Sequence, residues 1–209
     1  EEGEEGFAIG YTVFEGHTEQ TLASPADKPA AFEVKSPRMT VLTRGGQFDM
    51  IVGDEDVTQL LSRAGQVFVQ GNGGLVEIPP GNGTRTGVDN VLTEIVPARD
   101  SESLRVALDG APVSLNFPGD VVLNVRRGPS KQSQSIGTIA PDNVDSVKGT
   151  SADGIWYRIP YEEGSAWVST QGMDVSVDTP ETLLAVYPQD FLERDAGELV
   201  VTGDDPAVE

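Results

Sequence analysis

Leu123-Asn124-Val125-Arg126-Arg127-Gly128-Pro129-Ser130 opens the stretch from which the fold is most directly read. Apolar and polar residues alternate up to Gly128-Pro129, where a permissive glycine and a φ-locked proline end the strand in a turn. Four more blocks follow closely: Ser135-Ile136-Gly137-Thr138-Ile139, Val144-Asp145-Ser146-Val147, Gly154-Ile155-Trp156-Tyr157-Arg158-Ile159 and Gly164-Ser165-Ala166-Trp167-Val168-Ser169. Each is short, rich in β-branched and aromatic residues, and bounded by turn formers. Five such strands in so little chain must curl into a small barrel to hide their edges. From Ile155 to Tyr161 the alternation puts Tyr157, Ile159 and Tyr161 on one face and Trp156, Arg158 and Pro160 on the other. Ile159 assigns the tyrosine face to the core, which leaves Trp156 at or near the surface beside Arg158.

Upstream, Ala31-Phe32-Glu33-Val34-Lys35 and Met39-Thr40-Val41-Leu42-Thr43 alternate with period two and flank Ser36-Pro37. Phe48, Met50 and Val52 continue the pattern, and Gly53-Asp54-Glu55-Asp56 turns the chain into Val57-Thr58-Gln59-Leu60-Leu61 as a hairpin. Gln66-Val67-Phe68-Val69-Gln70 meets Leu75-Val76-Glu77-Ile78 across Gly71-Asn72-Gly73-Gly74 as a second hairpin. Gly45-Gly46, just before an alternating strand, predicts a bulge or a close backbone approach, with Arg44 placed to meet a carboxylate. Between the two regions, Leu104-Arg105-Val106-Ala107-Leu108 and Val113-Ser114-Leu115-Asn116-Phe117 read as a hairpin around Asp109-Gly110. Downstream, Glu181 to Tyr187 reads as ordered, Pro188 to Arg194 as a helical turn, and Glu198-Leu199-Val200-Val201-Thr202 as a last strand. The expected fold class is therefore all-β, with antiparallel sheets and a small barrel.

Two resemblances attach to these residues. The blocks from Leu123 to Ser169 resemble the bacterial Src-homology-3-type (SH3b) domain, whose pattern runs L-N-V-R-x-G-P-S, x-I-G-x-L, G-W-Y-K-V and G-W-V. Ile155 is inserted before Trp156, Arg127 replaces a small residue, and Ala166 separates Trp167 from its usual glycine. Phe32-Glu33-Val34-Lys35-Ser36-Pro37, Arg44 to Met50, Ala64 to Val69 and the Pro79-Pro80-Gly81 turn resemble the FecR-type extracytoplasmic β-domain, although Gly46 stands where that family usually has Thr. The division that follows is a FecR-like domain at 1–95, a connecting hairpin or linker at 96–118, an SH3-like barrel at 119–173 and an acidic tail at 174–209. The SH3b resemblance implies a non-catalytic binding module of the cell envelope that takes wall peptide or glycan, or a protein partner. Carried over, its ligand-binding residues would be Asn124, Arg126, Trp156, Tyr157, Tyr161 and Trp167, since aromatic faces give a large contact area at low entropic cost.

Composition narrows the function further. The chain holds 34 Asp and Glu against 14 Lys and Arg, a formal charge of −20, so it is not a nucleic-acid binder of the usual basic kind. The acids are uneven: residues 174–209 hold 10 acids and 1 base, whereas residues 119–173 hold 6 and 5, a break expected of separate modules. No apolar run approaches the roughly 18 residues of a membrane helix. Cysteine is absent and His17 is the sole histidine, so thiolate chemistry and multi-histidine metal sites are excluded. No nucleophile elbow, phosphate loop or H-E-x-x-H occurs. The acidic tips Asp54-Glu55-Asp56 and Asp204-Asp205 do not match a calcium loop, and His17 reads as an exposed strand end or turn. No enzyme, no cofactor and no metal is expected.

The chain begins Glu1-Glu2-Gly3-Glu4-Glu5, without Met or a signal pattern, and reads as a processed, exported chain. The expected role is extracytoplasmic binding or scaffolding in the bacterial envelope. The alternatives are a structural subunit of an extracellular or envelope assembly and a fragment of a FecR-type sensor that acts on a sigma factor.

Overall fold

The computed structural model describes residues 8–23, 31–71, 74–87, 89–116, 121–162, 164–180 and 184–187. The chain divides into two compact units, Glu1–Leu104 and Arg105–Glu209. As expected from the sequence, the fold is mostly β.

The first unit holds β1 (Ala8–Thr12), β2 (Gly16–Ala23), β3 (Ala31–Lys35), β4 (Thr40–Val52), β5 (Thr58–Gly71), β6 (Gly74–Ile78), β7 (Asn82–Arg85) and β8 (Val96–Pro97) in one sheet. Its spine is the hairpin of β4 and β5, turned at Gly53–Asp56 as the sequence predicts. Each long strand shares its outer edge between two short ones. β4 pairs with β3 over Thr40–Thr43 and with β2 over Gly45–Val52, while β5 pairs with β7 near Leu60 and with β6 from Val67 onward. The change of partner on β4 coincides with the bulge at Thr43/Gly45, which bends a strand too long to stay flat. Close approach explains the glycines there: Gly65, at φ +78°, would put a Cβ 2.5 Å from the Gly45 carbonyl oxygen, and Gly46 one 2.9 Å from that of Ala64. The core gathers Val34, Val41, Phe48, Met50, Leu60, Val67, Val69 and Ile78. The guanidinium that meets Asp49 is that of Arg63, at 3.0 Å through Nε, on the strand opposite.

Between Ser101 and Asp109 the chain is helical (α1), not the first arm of a hairpin. Asp100 and Ser103 hold its start, and Gly110, at φ +93°, ends it by donating its N–H to the Val106 carbonyl at 2.8 Å. Leu104, Ala107 and Leu108 then lie on one helical face and are buried.

The second unit continues with β9 (Ala111–Asn116), β10 (Leu123–Arg126), β11 (Ser135–Ile139), β12 (Ser146–Val147), β13 (Gly149–Ser151), β14 (Trp156–Tyr161), β15 (Gly164–Ser169), β16 (Asp174–Val177) and β17 (Ala185–Tyr187). A six-stranded sheet runs β11-β10-β15-β14-β13-β17, and a three-stranded one runs β12-β9-β16. One core holds Leu123, Val125, Ile159, Ala166 and Val168 from the barrel blocks, with Val113 and Leu115 of β9 and Leu184 beside β17. The segments before and after the barrel blocks are therefore part of its structure. The helical turn expected at 188–194, the strand at 198–202 and the acidic tip at 203–205 lie outside the described residues. Among the described residues no helix is long and apolar enough to cross a membrane.

Candidate functional site

Strand register sorts the six candidate residues onto the two faces of the barrel sheet. Arg126 stands opposite Trp167, Trp167 opposite Arg158, and Trp156 opposite Ser169. Asn124 lies two residues from Arg126 and Trp156 two from Arg158, so Asn124, Arg126, Trp156, Arg158 and Trp167 share one face. The other face carries Leu123, Val125, Ile159, Ala166 and Val168, and Tyr157 and Tyr161 pack there, half-buried, against the core.

Four of the six candidates are thus brought together, in unequal states. Asn124 is exposed opposite Thr138. Arg126 is half-buried and donates from Nη1 to the Ser133 carbonyl at 2.7 Å, tying β10 to the turn that precedes β11. The Trp156 side chain is 6% exposed and that of Trp167 1%, so neither forms a surface platform. This corrects the expectation that Trp156 lies at the surface: on its face of β14, Trp156 and Arg158 are both buried, and only Pro160 at the far end is exposed. The Trp156 N–H donates to Ser151 Oγ at 3.1 Å, and its carbonyl accepts from Thr150 Oγ1 at 3.1 Å. Tyr157 and Tyr161 face inward, and the Tyr161 hydroxyl occupies the space that a Cβ on Gly137 would need.

Alternation alone did not reveal Arg158 and Tyr187. Arg158 is buried, donates from Nη1 to the Tyr187 hydroxyl at 2.6 Å, and sets its guanidinium carbon 5.1 Å from the ring centroid. The Tyr187 ring meets Trp167 edge to face, at 5.2 Å and 83°. Asp153 shapes the turn from β13 to β14. Hydrogen bonds from the Ser151 hydroxyl, and then from the Ile155 N–H at 3.0 Å, hold its carboxyl below the usual carboxylate range.

On the first unit, His17, Glu19 and Asp49 place one ligand atom each within 4.8 Å of one another. His17 and Glu19 lie on exposed β2, and Asp49 is committed to Arg63. Asp54, Glu55 and Asp56 form an exposed turn at the tip of the spine hairpin, with Glu55 at φ 56°.

Residues 121–174 match the family described as the bacterial SH3 domain. Two crystal structures of a proposed anti-sigma factor from Parabacteroides distasonis are similar to the chain. One is 19% identical with a TM-score of 0.36 and the other 20% with 0.35, and each covers 57% of this chain. The chain spans about half, 51%, of the length of those proteins. No curated protein matches the chain. The second unit thus contains a bacterial SH3 domain, the kind of module that serves in binding.

Proposed function

We propose that this chain is a non-enzymatic binding or scaffolding protein of the bacterial cell envelope, acting outside the cytoplasm. The carrying observation is the match of residues 121–174 to the bacterial SH3 domain. On that reading the SH3 barrel takes wall peptide, wall glycan or a protein partner through the face that carries Asn124 and Arg126. Asn124 is exposed and Arg126 offers a half-buried cation beside it along the strand, so an acceptor-rich ligand such as a peptide carbonyl or a sugar hydroxyl suits the pair. Trp156 and Trp167 lie buried on the same face of the sheet. The FecR-like reading of the first unit is part of the same proposal. It is supported by the position of its motifs, Arg44 to Met50 and Ala64 to Val69, on the two paired spine strands.

The experiment is sedimentation of the full chain with insoluble peptidoglycan. The wild-type chain is expected to pellet, and Asn124→Ala with Arg126→Ala to stay in the supernatant while keeping the wild-type circular dichroism. A chain that stays in solution beside wall, or a double variant that pellets as well as wild type, refutes wall binding through this face.

A further inference from the structure

Beyond its pairing with β14, the edge of β13 offers a seat that reads a peptide strand. Gly149, Thr150 and Ser151 pair in parallel with Ala185, Val186 and Tyr187. The strand's alternation turns Ala185 and Tyr187 inward, both buried, and leaves Val186 52% exposed. Three features make the seat selective. A Cβ on Gly149 would stand 2.6 Å from Tyr187 Cε2 and 2.7 Å from the Ala185 carbonyl oxygen, so the glycine makes room for the ring and for the close backbone. Arg158 donates to the tyrosine hydroxyl and lies against the ring. Trp167 supplies an edge-to-face wall. Backbone pairing plus a pocket for every second side chain is how an added strand is recognised.

We propose that this seat is a binding site for an extended segment of the pattern small residue, any residue, tyrosine, and that its own occupant exchanges with the same segment of a second copy of this chain. The occupant comes from outside residues 121–174, which match the SH3 family, and joins the sheet at its end through three residue pairs. Every copy carries one seat and one strand that fits it, so exchange between copies preserves each contact and makes a dimer at little cost. This inference stands on the seat's geometry and is independent of wall binding.

The test uses the full chain carrying Tyr187→Ala and a labelled peptide of residues 181–190. The peptide is expected to bind this variant in a saturable way, at least about tenfold more tightly than the same peptide with Tyr187→Ala, because a buried aromatic anchor carries much of such an interface. No binding to a variant with wild-type circular dichroism, or equal binding of the two peptides, overturns the proposal. Should Tyr187→Ala fail to fold, Tyr187→Phe keeps the ring and loses only the hydroxyl, and it should take up more peptide than the wild-type chain; uptake equal to wild type overturns the proposal. For the second copy, the Tyr187→Ala chain is mixed with a Gly149→Val chain, whose seat is blocked and whose strand is intact. Light scattering should show a one-to-one pair, and two monomers would overturn the second copy as occupant.

Discussion

Asp100 and Ser103 cap each other at the start of α1. The Ser103 N–H donates to Asp100 Oδ1 at 2.7 Å and the Asp100 N–H donates to Ser103 Oγ at 3.0 Å, which satisfies two of the donors that a helix leaves without partners. The Ser103 backbone hydrogen bond holds the Asp100 carboxyl below the usual carboxylate range, against a smaller opposing effect of burial. A group whose folded value is depressed stabilises the fold above its unfolded value, about 3.9 for Asp, and ceases to do so as pH falls through the folded value. Asp100→Ala should cost about 1 kcal/mol at neutral pH. In urea titrations the gap to wild type should close on acidification below about pH 4.

Two glycines with positive φ should respond differently to alanine. Gly154 has φ +69° and nothing within 4 Å of the place a Cβ would take, so Gly154→Ala meets backbone strain alone, about 1–2 kcal/mol. Gly65 has φ +78° and backbone atoms of Gly45 and Gly46 at 2.5 and 2.7 Å, so Gly65→Ala also forces the spine hairpin apart. Thermal unfolding should show the larger loss for Gly65→Ala. Equal losses would mean that the bulge opens freely.

Asp49 is buried and Arg63 partly exposed, so the two ends of their ion pair are not equivalent. Arg63→Ala strands a carboxylate away from water, whereas Arg63→Ala combined with Asp49→Ala removes the charge as well. The single variant should lose about 2 kcal/mol, and the second substitution should restore part of that loss. A double-mutant cycle by chemical denaturation measures the coupling.

Trp167→Ala should be a stability variant first. The side chain is almost wholly buried against Tyr187, and removing so large a core group costs about 3–5 kcal/mol. Asn124→Ala, at an exposed position, should stay within about 0.5 kcal/mol of wild type. Melting temperatures of the two variants, taken side by side, check the contrast.

Period-two alternation located β3 to β6 and most barrel strands, because each hides one face and shows the other. It failed where local chemistry or a distant partner decides. Leu104 to Leu108 carries apolar residues that suit either period, and the helix is specified by Asp100, Ser103 and Gly110, a cap, its partner and a stop whose signal was present in the sequence. Asp109-Gly110, read as a hairpin turn, is the end of that helix. Trp156 looked exposed because a strand with one core face should leave the other open. Tyr187, from the stretch Glu181 to Tyr187 that reads as ordered without its partner being evident, packs against Arg158 and Trp167 on that second face. The pairing of Asp49 with Arg63, fixed by the register of β4 on β5, is likewise invisible to alternation.

The pairing of β9 with β16 has a consequence for how the protein is made. Val113 lies opposite Val177 and Asn116 opposite Asp174, so all the barrel strands from β10 to β15 are synthesised between one partner and the other. At about 5–20 residues per second, β9 leaves the ribosome several seconds before β16 exists. During that interval Val113 and Leu115, both buried in the finished fold, have no partner strand on that edge. β9 is thus a strand that needs shelter during synthesis.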